Sequence, residues 1–246
     1  MAFLKLFTYN ILDQTDSTVT VTGSADSGYP ESRLYDRSID FYWQYTASGD
    51  LIIHVDQGAS NQLSVDTLFI ERHNFNGFVM QWQYSDNDSD WTDAVTDWTQ
   101  SGNTQIVKTL AAAVTHRYWR VHVASAVNPR CTEVFMSGGY SFQVRFDSLP
   151  EEADTDNVIW NETLGGIERS VKLGDIRKGR KYSFFLYPEL LTNWRTAIDY
   201  LDENSKPFYI KDHEGNYWLA RFKALPGGSF PTEQQQYKEV ELLELL

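Results

Sequence analysis

Through the first half of this chain, apolar and polar positions follow a period of two or form short unbroken apolar runs, with no helical period between them. Ser17 to Ser24 alternates β-branched and small polar side chains, the pattern of a half-exposed strand. Arg117 to Val123 alternates in the same way, while Leu51 to Asp56 and Asp66 to Arg72 are apolar through their middles. Further strands are predicted at Val79 to Ser85, Gln105 to Thr109 and Thr132 to Met136. Turn formers separate them. Tyr29 to Ser38 reads as a long ordered loop, and Asp86-Asn87-Asp88-Ser89-Asp90 as a solvated turn rather than a calcium loop, since it lacks the glycine and the distal glutamate. Strands at this spacing predict an all-β sandwich. The strands at 51–56 and 66–72, joined by the loop 57–65, are expected to be antiparallel neighbours.

The pattern changes after residue 146. Residues 147–164 begin with an acidic stretch that holds Pro150 and shows no apolar period, so they read as a linker. Lys181 to Tyr187 is a predicted strand, and Pro188 opens a helix running to about Asn204, with Leu191, Trp194, Ile198 and Leu201 on one stripe. Such a stripe needs a sheet to cover it. Phe208 to Lys211, Tyr217 to Lys223 and Tyr237 to Leu245 supply the strands, with a tight turn at Glu214-Gly215-Asn216. The expected fold class is therefore mainly β, with a sandwich at 1–146, an acidic linker at 147–164 and an α+β domain of antiparallel sheet and one helix at 165–246.

Composition narrows the partners. With 21 Lys and Arg against 34 Asp and Glu, the formal charge of -13 repels phosphate backbones and anionic lipid, so neither nucleic acid nor membrane is an expected partner. Aromatics at 15% suit broad β-faces and adhesive loops rather than disorder. Cys131 is alone, which excludes an intrachain disulfide and reads as a small buried hydrophobe. Met1 to Lys5 lacks the basic and apolar regions of a signal peptide, so synthesis in a cytoplasm is expected.

No nucleophile motif, phosphate loop or cysteine pair is present, and His54, His73, His116, His122 and His213 lack ligand spacing. His54 and His122 fall within strands and read as structural. Acidic residues are too abundant for any pair of them to argue glycoside hydrolysis. An enzyme, a cofactor and a metal are accordingly not expected. The loops are more informative. His73 to Phe78 and Asp40 to Tyr45 are expected at one end of the sandwich, where Tyr42, Trp43, His73, Asn74 and Phe75 would combine aromatic faces with an amide and an imidazole, the mixture that takes a sugar. Tyr42 and Trp43 either face that ligand or pack beneath the loops. Arg177, Lys178, Arg180 and Lys181 form the one dense basic run, which reads either as a solvated loop or as an assembly contact for an acidic neighbouring surface.

The segments RLYDRSIDFYW, IHVDQG, VDTLFIERHNF, WQYSDNDSDWTD, HRYWRVHV and TEVFMSG, in this order, resemble the discoidin-type, galactose-binding-like family over roughly residues 15–142. The resemblance implies a jelly-roll β-sandwich that meets carbohydrate through loops at one end. Where that family has Asp-Gly after the first loop, this chain has Asp36-Arg37, which argues against a cation held there by Asp36 and Asp40. KPFYIKDHEGNYWLARFKALP and YKEVELLELL, within roughly 165–246, resemble the last strands of bacteriophage distal tail and tube-like proteins. That resemblance implies a structural virion component of a tail tip or baseplate, made in the host cytoplasm. Its partners would be other phage tail proteins, in a ring-forming homo-oligomer, with the sandwich mediating subunit contacts or binding a host surface glycan. The alternative expectation is a carbohydrate-binding module that recognises a cell-surface glycan outside a virion.

Overall fold

A strand with one buried face and a strand with two need different neighbours, and the chain contains both. In the computed structural model, which describes residues 3–143, 151–152, 154, 158–162, 168–172, 177–202, 205–224, 228–232 and 235–245, Ser48–Asp56 buries Leu51, Ile53 and Val55 and turns the residues between them outward. Tyr118–Val127 does the same with Trp119, Val121 and Val123. These two pair antiparallel, with Val121 opposite Ile53. Together with Thr18–Val21, Val79–Ser85, Thr92–Asp93 and Trp98–Thr99 they make a six-stranded sheet.

Val65–Glu71 behaves differently, for it is buried at each of its first six positions. It is the middle strand of a separate three-stranded sheet, between Glu133–Ser137 and Gln105–Val114. The expectation that strands 51–56 and 66–72 pair directly is thus corrected: a strand buried on both faces takes its own two partners, and the chain crosses to the second sheet between them. Gln57 holds the crossing, donating to Leu63 O at 3.2 Å and His116 O at 2.9 Å and accepting from Leu63 N at 2.9 Å. Aromatic pairs fill the interior: Phe7 against Phe69 at 5.1 Å, Phe69 against Phe135 at 6.0 Å and Trp82 against Trp119 at 5.5 Å. The fold class is the expected one, mainly β, with a jelly-roll sandwich and an antiparallel sheet bearing one α-helix among the described residues.

The chain divides into two units, residues 7–139 and the described residues on either side of them. The sequence reading gave all of 1–146 to the sandwich. Phe3–Phe7 instead pairs with Tyr140–Gln143 and lies beside Phe208–Lys211 in the sheet of the second unit. Its Leu4 and Leu6 are wholly buried there, a period-two signal that five residues are too few to announce. Glu151–Glu152 and Val158–Glu162, inside the expected linker, are strands, the latter paired with Glu168–Lys172. The remainder of 147–164, apart from Asp154, lies outside the described residues.

The second unit's sheet carries the helix Pro188–Asp199. Trp194 and Leu201 are buried, and Leu191 and Ile198 pack beside them against Phe142, Tyr182, Phe208 and Phe222. The expected stripe is therefore the packed face. The helix stops short of Asn204, which lies outside the described residues: Asp202 is at φ 48, and the Ser205 and Lys206 amides return to Leu201 O at 3.0 and 3.1 Å.

Arg37 explains why glycine is not needed after Asp36. Its φ is 60, in the left-handed region, and its side chain is buried. Nε donates to Asp13 Oδ2 at 2.6 Å, Nη1 to Thr8 O at 3.0 Å, and the backbone amide to Glu133 Oε2 at 2.9 Å. Asn10 completes the set, donating to Glu133 Oε1 at 3.3 Å and Val134 O at 2.9 Å. The Asp13 carboxylate and the Thr8 carbonyl are thus both taken by the guanidinium. Burial pushes the Glu133 carboxyl well above the usual carboxylate range, while the Arg37 amide pulls it back.

Removing one partner of such a buried set leaves the other uncompensated. Arg37→Ala is expected to cost about 3 kcal/mol of unfolding free energy in urea, and Arg37→Lys to recover only part of it because an ammonium cannot reproduce the fork. An unchanged urea midpoint in Arg37→Ala would show that the network contributes nothing.

Candidate functional site

The strand Val65–Glu71 ends at one edge of the sandwich and delivers Glu71, Arg72, His73 and Asn74 in succession. Arg72 is at φ 42, a conformation arginine rarely takes, and it turns the chain out of the strand. Its amide donates to Thr104 O at 3.0 Å and its Nη1 to Ile39 O at 3.0 Å. On one side Glu71 stands opposite Gln105, which brings up Asn103 and Thr104. On the other side Glu71 stands opposite Glu133, and the preceding Arg130–Cys131 pairs with Trp43–Gln44.

Asn74 clips these segments together. Its amide donates to Arg130 O at 3.2 Å, its Oδ1 accepts from Arg130 N at 2.9 Å, and its Nδ2 donates to Asn128 O at 2.9 Å. Glu71, Arg72, His73, Asn74, Asn103, Thr104, Gln105 and Arg130 then line a cavity of about 440 Å³. Its lining offers guanidinium, amide and hydroxyl groups within one open concavity, the equipment to recognise several hydroxyls at once.

An aromatic rim adjoins it. Tyr29 and Tyr42 stack at 4.9 Å with an interplanar angle of 22°, and the Arg130 guanidinium lies 5.6 Å from the Tyr42 ring. Arg33 Nη1 donates to Tyr42 O at 3.2 Å, and its guanidinium lies 5.2 Å from the ring of Phe41, which is 58% exposed.

The structure does bring His73 to Phe78 and Asp40 to Tyr45 to the same end, through Arg72, Arg130 and Asn74 rather than through direct pairing of strands 51–56 and 66–72. The candidate ligand residues separate into two groups. Trp43, His73 and Phe75 are 1%, 3% and 0% exposed, so their rings form the packing beneath the loops and offer no surface to a ligand. Tyr42 and Asn74 are half-buried. Missed in the sequence were Arg72, Arg130 and Asn103, which carry no periodic signal because they are exposed loop-end residues.

His73 is the unusual member. Its Nδ1 accepts from Phe75 N at 3.0 Å, its ring stacks on Phe75 at 5.1 Å, and among the described residues its Nε2 has no hydrogen-bond partner. Burial lowers its pKa to about 4. The imidazole is thus neutral at pH 7, with its proton on Nε2.

Elsewhere the candidates are accounted for locally. Lys178 pairs with Glu244 at 3.7 Å, Arg180 with Asp154 at 2.8 Å and Glu152 at 3.5 Å, and Lys181 with Glu239, while Arg177 is exposed. Three of the four charges read as either solvated or contacting a neighbour thus have acidic partners within their own unit. In the turn 86–90, Asp86 pairs with His116 at 3.0 Å and Asp88 with His54 at 2.9 Å, and Asn87 Oδ1 accepts the Ser89 and Asp90 amides at 3.0 and 2.9 Å. No group of three or more acidic, histidine or cysteine side chains among the described residues is arranged to hold a metal.

No family model matches the chain, and no curated protein matches it. Among solved structures, CpGH89CBM32-6 of Clostridium perfringens is similar at 16% identity and a TM-score of 0.43, covering 53% of this chain and 100% of that one. Chitosan-binding module 1 from a chitosanase/glucanase of Paenibacillus sp. IK-5 is similar at 21% identity and 0.42, covering 53% and 99%. A GH29 fucosidase of Ruminococcus gnavus in complex with fucose is similar at 18% identity and 0.45, and this chain spans 27% of its length. At TM-scores below 0.5 these likenesses decide neither fold nor function, which rest on the strand order and site geometry above.

The His73 environment makes stability depend on pH with a definite sign. Its pKa in the folded chain is about 4 against an ordinary 6.5, so the unfolded chain takes up the proton first as pH falls. The stabilisation is complete above pH 6.5 and is lost between there and about 4, amounting to on the order of 3 kcal/mol. Urea unfolding from pH 7.5 to 4.5 should show a shallower loss in His73→Gln than in the parent. Coincident slopes would mean that the imidazole is not held neutral.

Proposed function

We propose that the sandwich unit binds a glycan, without turning it over, in the cavity between Asn74, Asn103 and Arg130. One observation carries the reading: hydrogen-bonding groups of three chemical kinds line a single concavity, and an exposed aromatic rim headed by Phe41 and Tyr42 lies next to it. A sugar presents hydroxyls at its edges and an apolar C–H face, so this pairing of groups suits it. Tyr42 and Asn74 keep their proposed ligand role, whereas Trp43, His73 and Phe75 support the loops from below.

The tail-component reading drew on the resemblance of the C-terminal segment. Neither a described residue nor any solved structure named above favours it, and Lys178, Arg180 and Lys181 have acidic partners within their own unit. The glycan reading, held as the alternative in the sequence, is therefore the better supported.

A glycan array followed by calorimetry on the full chain tests it. Arg130→Ala and Asn103→Ala should each weaken binding of the array hit at least about tenfold, the loss of one hydrogen bond to a charged or amide donor. Phe41→Ala should weaken it similarly through lost stacking, and Thr20→Ala, on the large sheet, should leave it unchanged. Trp43→Ala and Phe75→Ala should lose stability before affinity. Silence across a broad array, with the chain folded, would sink the proposal.

A further inference from the structure

The arginines around the cavity differ from others in the chain. Arg37 pairs with Asp13 at 2.6 Å, Arg117 with Asp56 at 2.7 Å and Arg180 with Asp154 at 2.8 Å, as a chain with 34 acidic residues allows. Among the described residues, neither Arg72 nor Arg130 forms an ion pair, although both are exposed and line one cavity. The one carboxylate in the lining, Glu71, accepts from Gln105 Nε2 at 2.6 Å. His73 adds no charge, since burial keeps it neutral. The lining therefore carries a net positive charge inside a chain whose formal charge is -13.

The backbones of both arginines are fixed. Arg72, at φ 42, is held by its amide's bond to Thr104 O while its side-chain Nη1 donates to Ile39 O, and Arg130 is held by Asn74 at both its amide and its carbonyl. Arg130 is positioned 5.6 Å from the Tyr42 ring, where a stacked guanidinium still has in-plane N–H donors to spare. Two planar guanidinium groups at one concavity, neither in an ion pair among the described residues and Arg72 donating from Nη1 to Ile39 O, match a planar carboxylate better than a neutral hydroxyl.

We infer that the cavity selects an acidic saccharide, with the carboxylate of a uronic-type sugar taken by Arg72 and Arg130. This rests on the glycan function proposed above and adds the chemical class of ligand. Local attraction also has to overcome repulsion from the acidic chain as a whole, so recognition is short-ranged and confined to the two forks.

Calorimetry on the full chain with three probes tests the inference: trigalacturonate, its fully methyl-esterified and hence neutral form, and galactotriose. The acid should bind at least tenfold tighter than either neutral probe, and 0.5 M sodium chloride should narrow that gap. The double variant Arg72→Gln with Arg130→Gln, shown to be folded by its urea midpoint, should bind all three alike. Equal binding of acid and ester by the parent would overturn charge selection and leave glycan binding standing. Charge selection is overturned in the same way if none of the three probes binds while the array returns neutral sugars. Silence on the probes and on the whole array overturns both proposals.

Discussion

Burial of Val65–Glu71 on both faces is the constraint from which the candidate binding end of the sandwich follows. Val65, Leu68, Phe69 and Ile70 are fully buried, and each such side chain contributes roughly 1.5–3 kcal/mol relative to exposure. A strand of this kind tolerates no slip, because it must match Gln105–Val114 and Glu133–Ser137 together. Its register sets Glu71 opposite both Gln105 and Glu133, so the loop that follows Glu71 meets the loops that precede Gln105 and Glu133 where the apolar run ends. The cavity is the place where a core strand gives out into polar residues.

Charge is handled in opposite ways in two parts of the unit. Around Glu133 a buried carboxyl, the Arg37 guanidinium, the Asp13 carboxylate and the Asn10 amide are arranged so that each has a partner, and the N-terminal segment from Thr8 to Asp13 is thereby pinned to the strand Glu133–Ser137. Arg72 and Arg130 are instead exposed and, among the described residues, form no ion pair. Leaving Arg37 unpaired would be costly because it is buried, while leaving Arg130 unpaired costs little because water solvates it. An exposed unpaired arginine in a strongly acidic chain is therefore inexpensive to keep and available to an incoming anion.

Much of the architecture was legible because it is periodic. The alternation in 118–123, the apolar runs at 51–56 and 66–72, and the helix stripe through Trp194 and Leu201 report burial directly, and burial decided these elements. What the sequence did not show was pairing. Strands 51–56 and 66–72 are adjacent along the chain yet lie in different sheets, and Phe3–Phe7 finds Tyr140–Gln143 more than a hundred residues away. The candidate site was legible as a meeting of two segments, but not which of their side chains are exposed. Trp43 could be read as facing a ligand or packing beneath the loops, and Phe75 as a ligand platform, because a loop aromatic reads alike whether it points up or down; both are buried, and Arg72 and Arg130 were overlooked because exposed charges have no period.

The site is also built to be stiff, which bears on how it can bind. Besides the bonds of Asn74, the loop after His73 is stitched to the loop before Gln105: the Asn76 amide donates to Asn103 Oδ1 at 3.0 Å, Asn76 Oδ1 accepts from Gly102 N at 2.8 Å, and the Gly77 amide donates to Gln100 O at 2.8 Å. Gly77 sits at φ 86, where a glycine turns the loop without strain. Ordering a loop on binding subtracts from affinity, and here these hydrogen bonds tie the loop to its neighbour without a ligand. A small cavity with few contacts can then hold a weakly adhesive, well-hydrated molecule such as a sugar, whose gain per hydrogen bond is modest once water is displaced. Stiffness at Asn74 and Asn76, more than the number of contacts, is what would let this shallow surface discriminate.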